Sequence, residues 1–294
     1  MKKLLVAFLV NTIVLTQVFA TPTNEIEISF ADTGIVGLEE LQRQYEAFQN
    51  TLSKYAGVKI KFMPVTSRTA VVEAMNSKKL DLALSGPAEY VVIRKRTNAE
   101  PIVALVRPDY FSLIAVKTSS GIQSIKDLKG KKIAFGQVGS TSYHLSPMQL
   151  LTDNGIDPQT EIKSVHIDKR VAWDALLRGD VDAIGMSQLR FNQFREEESS
   201  AKPGDFKVLA RGPDLPNDLI VAGEHVDPAI VAKIRAAFAD HSDELIASIL
   251  QGEELQKYNG MRFITNVKDS DYNYVRSMYI SAGYPEYSEF VGNG

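Results

Sequence analysis

The residues best suited to chemistry lie in the run Gly136-Gln137-Val138-Gly139-Ser140-Thr141-Ser142. A strand-like stretch ends just before it and a helix-like stretch begins just after it. Strand, glycine-containing loop and helix start together can hold an anion. The first N–H groups of the helix lack acceptors within it and point outward, and the helix dipole favours negative charge there. Three successive hydroxyls add neutral donors of the kind that coordinate tetrahedral oxygens. No Lys follows the second glycine, so the run is not a Walker A loop, and it lacks the three-glycine dinucleotide fingerprint. Helix capping and turn formation account for the same residue types, so the local sequence leaves both readings open.

Other reactive side chains form weaker patterns. His144, His166, His225 and His241 stand at no spacing that ligates a metal, and no metal or cofactor is expected. His144 can line the same loop, cap its first turn or face solvent, while His225 and His241 are isolated and expected at the surface. His166 with Asp168 resembles part of a catalytic triad for which Ser140 or Ser142 would be the nucleophile. The Gly-x-Ser-x-Gly elbow is missing, and a serine opening a helix more often donates than attacks, so no catalysis is expected. The absence of cysteine removes thiol chemistry, disulfides and iron–sulfur clusters. Tyr90, Trp173, Tyr272 and Tyr274 are expected in the core or between lobes.

The elements that must position these residues alternate. Ile26–Phe30, Val58–Phe62 and Leu80–Leu84 read as strands, separated by helical patterns, the first of which runs from Leu38 to Tyr55. This rhythm predicts a parallel sheet with helices on its faces. It breaks at Arg107-Pro108-Asp109, between strands 102–106 and 111–116, where no helix intervenes. Alternation resumes with strands at 132–135, 162–165 and 181–186. It breaks again around Gly212-Pro213-Asp214-Leu215-Pro216, between strands 206–210 and 219–222. Helices are expected at 228–239, 243–250 and 269–282. Two α/β modules linked by paired crossings imply one lobe inserted into the other: lobe one over 24–112 plus 223–294, lobe two over 113–222.

Size and charge agree with that division. At 294 residues and 44% apolar composition, two domains are the better expectation. The formal charge of −3 argues against a nucleic-acid partner. Residues 1–20 combine Lys2 and Lys3 with an apolar stretch and Val18-Phe19-Ala20, which predicts a secretory signal peptide cleaved after Ala20. The mature chain then carries 31 basic against 36 acidic residues, a net of −5. An acidic, exported monomer without membrane insertion is expected in the periplasm.

Several motifs along the chain together resemble the periplasmic phosphonate/phosphite-binding family, the solute receptors of ABC importers. They include Asp81-Leu82-Ala83, Tyr110-Phe111-Ser112, Asp127-Leu128-Lys129-Gly130 and Gly179-Asp180-Val181-Asp182-Ala183. More specific are Gly139-Ser140-Thr141-Ser142 with Pro147 downstream, and Pro216-Asn217-Asp218. The resemblance implies a type II periplasmic binding protein fold: two α/β lobes joined by two crossing strands, with the ligand cleft between them. It also implies capture of a small phosphorus oxyanion for delivery to an ABC permease in the inner membrane. Ser140, Thr141 and Ser142 would donate to the oxyanion, His166 would reach it, and Tyr110 would close over it. Asp218 matches the family's carboxylate. As an acceptor it would select the P–OH that phosphite, phosphonates and phosphate keep near neutral pH. Sulfate has no such proton, and leaving the buried acceptor unpaired costs about 1–3 kcal/mol or more. Arg68 stands where some phosphonate receptors carry Tyr; it would add a bidentate donor or lie at the surface. Gly185-Met186-Ser187-Gln188 lacks the carboxylate that an aminoalkylphosphonate's ammonium needs, which favours phosphite, methylphosphonate or phosphate. A sensor of the same fold for a membrane kinase or cyclase would carry the same motifs, and a serine-dependent hydrolase is the remaining alternative.

Overall fold

The computed structural model describes residues 26–34, 37–65 and 70–288. The expected leader and Arg68 lie outside the described residues. Chain order begins β1 (Glu27–Asp32), α1 (Leu38–Ala56), β2 (Lys59–Phe62), α2 (Ala70–Asn76), β3 (Leu82–Ser85), α3 (Pro87–Thr97) and β4 (Glu100–Val106). Helix α1 shows why the local sequence folds as it does. Leu41, Tyr45, Phe48, Leu52 and Ala56 recur at three and four residues and are buried on one face. Gly57 then stops the helix in the left-handed region, its N–H bonded to the Ser53 carbonyl.

The chain then crosses to β5 (Phe111–Lys117), β6 (Lys132–Phe135) and α4 (Ser146–Asp153), followed by β7 (Lys163–His166), α5 (Lys169–Arg178) and β8 (Ala183–Ser187). Helix α6 (Gln188–Glu197) and β9 (Phe206–Asp214) complete this part. The second crossing leads to β10 (Asp218–Ala222), α7 (Pro228–Asp240), α8 (Ser242–Ile249), β11 (Arg262–Ile264) and α9 (Asn273–Ser281).

Among the described residues the strands form two sheets, ordered β11-β4-β10-β3-β1-β2 and β7-β6-β8-β5-β9. Each sheet is mixed where a purely parallel one was expected. Strands β2, β1 and β3 run parallel, as do β7, β6 and β8, but β10 is antiparallel to β3 and β4. Likewise β5 is antiparallel to both β8 and β9. A chain that crosses between sheets and returns re-enters each one against its parallel strands. Sheet pairing also moves the crossings from their expected positions. β5 begins at Phe111, and β10 already pairs in the first sheet from Asp218, so residues 218–222 do not belong with the second sheet.

One apolar cluster packs Phe30, Phe48 and Phe238 behind the first sheet, and another packs Trp173, Phe191 and Phe194 behind the second. A third runs through both lobes. In it α9 lies against α3 on one side and α4 on the other, contributing Val275, Met278 and Tyr279. Tyr90 and Tyr272 are core residues in edge-to-face contact, not cleft residues. The C-terminal ends of the parallel strands in both sheets point at the junction between lobes, the usual position of a ligand crevice in open α/β sheets.

Candidate functional site

Strand β6 delivers the chain to Gly136, whose N–H donates to the Tyr143 carbonyl at 2.9 Å. A Cβ at Gly136 would lie 2.6 Å from that of Tyr143, so only glycine allows the loop to fold back this tightly. Gly139 takes a positive φ of 83°, and the Ser140 N–H bonds back to the Gln137 carbonyl. The chain then enters a π-helical turn, Thr141–Leu145, that leads directly into α4. The Ser140 carbonyl accepts from both the His144 and Leu145 N–H groups, at 3.1 and 3.0 Å. Such wide turns recur at functional sites. The Ser140 side chain makes no capping bond to this turn. Capping therefore does not account for it.

Across the junction, α3 starts at Pro87 behind Gly86. The Ala88 N–H in its first turn donates to Thr141 Oγ1 at 3.0 Å, so two helix N-termini from different lobes meet at one hydroxyl. The Ala88 carbonyl accepts from the Tyr279 hydroxyl of α9 at 2.8 Å, which steadies the same turn. Ser142 is buried, and its carbonyl accepts from Ser112 Oγ at 2.9 Å.

The two crossings hold one another and carry the charged groups. The Arg107 N–H donates to Asn217 Oδ1, and the Leu215 N–H donates to the Tyr110 carbonyl at 2.8 Å. Between them, Arg107 Nη2 donates to Asp218 Oδ1 at 2.9 Å, with the Asp218 side chain only 8% exposed. The Tyr258 hydroxyl donates to Asp218 Oδ2 at 2.5 Å. The guanidinium carbon lies over the Tyr110 ring, 3.5 Å from its centroid. Burial is the largest single influence on Arg107 and opposes its charge, yet Asp218, Tyr110 and Tyr258 together outweigh it and the guanidinium pKa is raised. Burial pushes the Tyr110 phenol up, with the Arg107 charge pulling the other way. Arg107 Nε is buried and has no hydrogen-bond partner among the described residues. An unsatisfied buried donor costs about 1–3 kcal/mol, more when charged. Asp32, at the end of β1, adds a second buried carboxylate, held by the Tyr45 hydroxyl at 2.6 Å.

The histidines sort differently from expectation. His144 is buried and its Nδ1 accepts from the Gly139 N–H at 3.1 Å, so it shapes the loop from within. Burial first, and His166 second, lower its pKa to about 4, which keeps it neutral. His166 ends β7 exposed, edge-on to His144 at 4.6 Å, with Nδ1 3.1 Å from the Gly136 carbonyl. Asp168 caps α5 by accepting from the Arg170 N–H, so the triad fragment is not assembled with it. His225 is half-buried and paired with Asp81 at 3.0 Å, and His241 stacks on Tyr55 at 3.7 Å; neither is an isolated surface side chain.

Of the sequence-derived candidates, Thr141, Ser142, Tyr110 and Asp218 come together at the crossings, with Ser140 at the loop's edge. His166 reaches the loop from outside. Arg107 and Tyr258 were missed by sequence reasoning, and they change the character of Asp218. Both its oxygens already accept hydrogen bonds, so it is half of an ion pair and not a free acceptor. Among the described residues no cluster of His, Cys, Asp or Glu could hold a metal ion, and no helix is long and apolar enough to cross a membrane.

The matched parts of the curated relatives cover about half to two thirds of their lengths. The chain is 25% identical over 222 residues to a phosphate-import protein PhnD of Mycolicibacterium smegmatis, covering 69% of this chain and 68% of that one. It is 28% identical over 160 residues to a probable ABC transporter phosphite-binding protein PhnD1 of Prochlorococcus marinus, covering 51% and 54%. Among solved structures, PhnD1 of Prochlorococcus marinus in complex with methylphosphonate superposes with a TM-score of 0.67 at 18% identity, over 88% of this chain and 98% of that one. A binding-protein component of an ABC phosphonate transporter from Pseudomonas aeruginosa gives 0.64 at 19% identity, over 92% and 91%. These likenesses establish the type II periplasmic binding protein fold. Residues 38–272 match the family described as the periplasmic substrate-binding protein of the phosphonate ABC transporter, and the chain belongs to that family.

Proposed function

We propose that this protein is the periplasmic receptor of an ABC importer and captures a small phosphorus oxyanion: phosphite, methylphosphonate or phosphate. The observation that carries this reading is the meeting of two helix N-termini at Thr141, beside the buried Arg107–Asp218 pair on the crossings. Partial positive charge from both lobes converges where an oxyanion would sit, although the chain as a whole is acidic. The bound methylphosphonate of the Prochlorococcus relative is of the same chemical class.

In this reading Ser140, Thr141 and Ser142 donate to the oxyanion from the second lobe, with His166 at the loop's outer edge. Tyr110 and Asp218 act from the crossings, and Arg68 from the first lobe. Binding stabilises the closed arrangement of the lobes, and opening releases the ligand to the permease. The chain works as a monomer, after removal of residues 1–20, and performs no covalent chemistry. Calorimetry of the purified protein with phosphite, methylphosphonate and phosphate tests the proposal. Saturable heat with at least one is expected; none with any would end it.

A further inference from the structure

We infer that Arg107 sets ligand specificity by allowing the doubly ionised oxyanion to bind, with no P–OH required. The inference rests on the oxyanion-receptor reading and names the charge state that the site accepts. A lone buried carboxylate at position 218 would repel a dianion and demand a proton on the ligand. Here the carboxylate is already neutralised. Arg107 Nη2 holds Oδ1 at 2.9 Å and Tyr258 holds Oδ2 at 2.5 Å, so the pair presents no net charge. Arg107 also brings donor capacity that Asp218 does not use, since Nε is buried and without a partner. Its guanidinium carbon lies over the Tyr110 ring, 3.5 Å from the centroid, which holds it at the crossing. A planar guanidinium held in this way offers a fork to an ionised P–O group.

The groups facing Arg107 are Asp218 from β10, Tyr110 from the first crossing, and Tyr258 from the segment Glu253–Tyr258. Lys257 Nζ stands 4.0 Å from Asp218 Oδ2. Burial raises both tyrosines, so neither phenol ionises between pH 6 and pH 8. A change in affinity across that range that depends on Arg107 therefore reports the ligand's own second ionisation.

The test is calorimetric titration with phosphite, methylphosphonate and phosphate at pH 6, 7 and 8, on wild type, Arg107→Gln and the double variant Arg107→Gln/Asp218→Asn. Wild-type affinity should hold steady or rise with pH. Arg107→Gln exposes an uncompensated Asp218, so its affinity should fall by about tenfold per pH unit once the ligand loses its second proton, the slope of one required proton. The double variant removes both charges and should lose that slope; it also serves if Arg107→Gln alone fails to fold. Wild-type affinity that falls tenfold per unit would overturn the inference while leaving the receptor reading intact. So would a double variant with that same slope. Absence of heat with phosphite, methylphosphonate and phosphate alike at every pH in wild type would overturn the receptor reading and this inference together.

Discussion

The Thr141 hydroxyl accepts a hydrogen bond from the Ala88 N–H at 3.0 Å, and these residues belong to opposite lobes. The bond exists only when the lobes are together, so it favours the closed arrangement over an open one. A ligand's affinity in a hinged receptor depends on that balance.

Replacing Thr141 by Val keeps the side chain's shape and removes both the interlobe acceptor and a donor to the ligand. A typical net hydrogen bond is worth about 0.5–1.5 kcal/mol, so affinity should fall by roughly tenfold at the upper end of that range. Thr141→Ser should recover most of the loss. Calorimetry on the three proteins distinguishes the outcomes, and a Val variant that binds as well as wild type would remove Thr141 from the site.

Asp218 carries a second prediction, on stability. Its ion pair with Arg107 is largely buried, with side-chain exposures of 8% and 15%. Removing one partner of such a pair strands the other charge, at a cost of about 3–5 kcal/mol. Asp218→Ala should therefore unfold at markedly lower denaturant than wild type. The double replacement Arg107→Met/Asp218→Leu should be closer to wild type, because it buries no lone charge. Equal midpoints for the single variant and wild type would show that the pair is solvated in solution.

His144 predicts a pH dependence with a definite sign. Its folded pKa, about 4, lies below the ordinary 6.5 because burial disfavours the imidazolium. The unfolded chain binds the proton first, so the contribution to stability is complete above pH 6.5 and is lost as pH falls towards 4. The linkage amounts to about 3 kcal/mol as an order of magnitude. His144→Asn keeps an acceptor for the Gly139 N–H and removes the titration. Chemical denaturation from pH 7 to pH 4 should show a shallower decline for the variant, and parallel curves would count against a buried neutral His144.

Much of this fold was legible because its signals are local. Alternation of strand and helix, a glycine ending α1 and proline-containing breaks at both crossings all show in short windows of sequence. The strand–loop–helix placement of Ser140–Ser142 was legible for the same reason, since loop and helix start are adjacent in the chain. Arg107 was not, because its meaning depends on Asp218, 111 positions away, and on Tyr258 beyond that. An arginine next to Pro108 in a crossing looks like any surface arginine until its partner is placed. The mixed sheets were hidden likewise: β10 has the residues of any buried strand, and only its pairing with β3 and β4 gives its direction. Strand β11 was missed because three residues are too few to show a period.

Gly185 supplies the last prediction and explains why Pro147 stands where it does. A Cβ on Gly185 in β8 would lie 2.6 Å from Pro147 Cβ, 2.9 Å from its Cγ and 3.1 Å from a ring carbon of Phe135. Pro147 is in the first turn of α4, and its ring cannot rotate away as a flexible side chain would. Gly185→Ala must therefore push α4 off the sheet, and the Thr141–Leu145 turn that runs into α4 moves with it. Overpacking of this kind costs about 1–3 kcal/mol, and the displaced Thr141 and Ser142 should weaken ligand binding as well. Gly212 is the matched control. Its nearest neighbours to an added Cβ are at 3.5 Å, ordinary contact, so Gly212→Ala should leave both stability and affinity close to wild type. Thermal denaturation with and without methylphosphonate measures both effects. If the two variants prove equally mild, the fit of α4 against β8 is looser than these distances require and does not position the oxyanion loop.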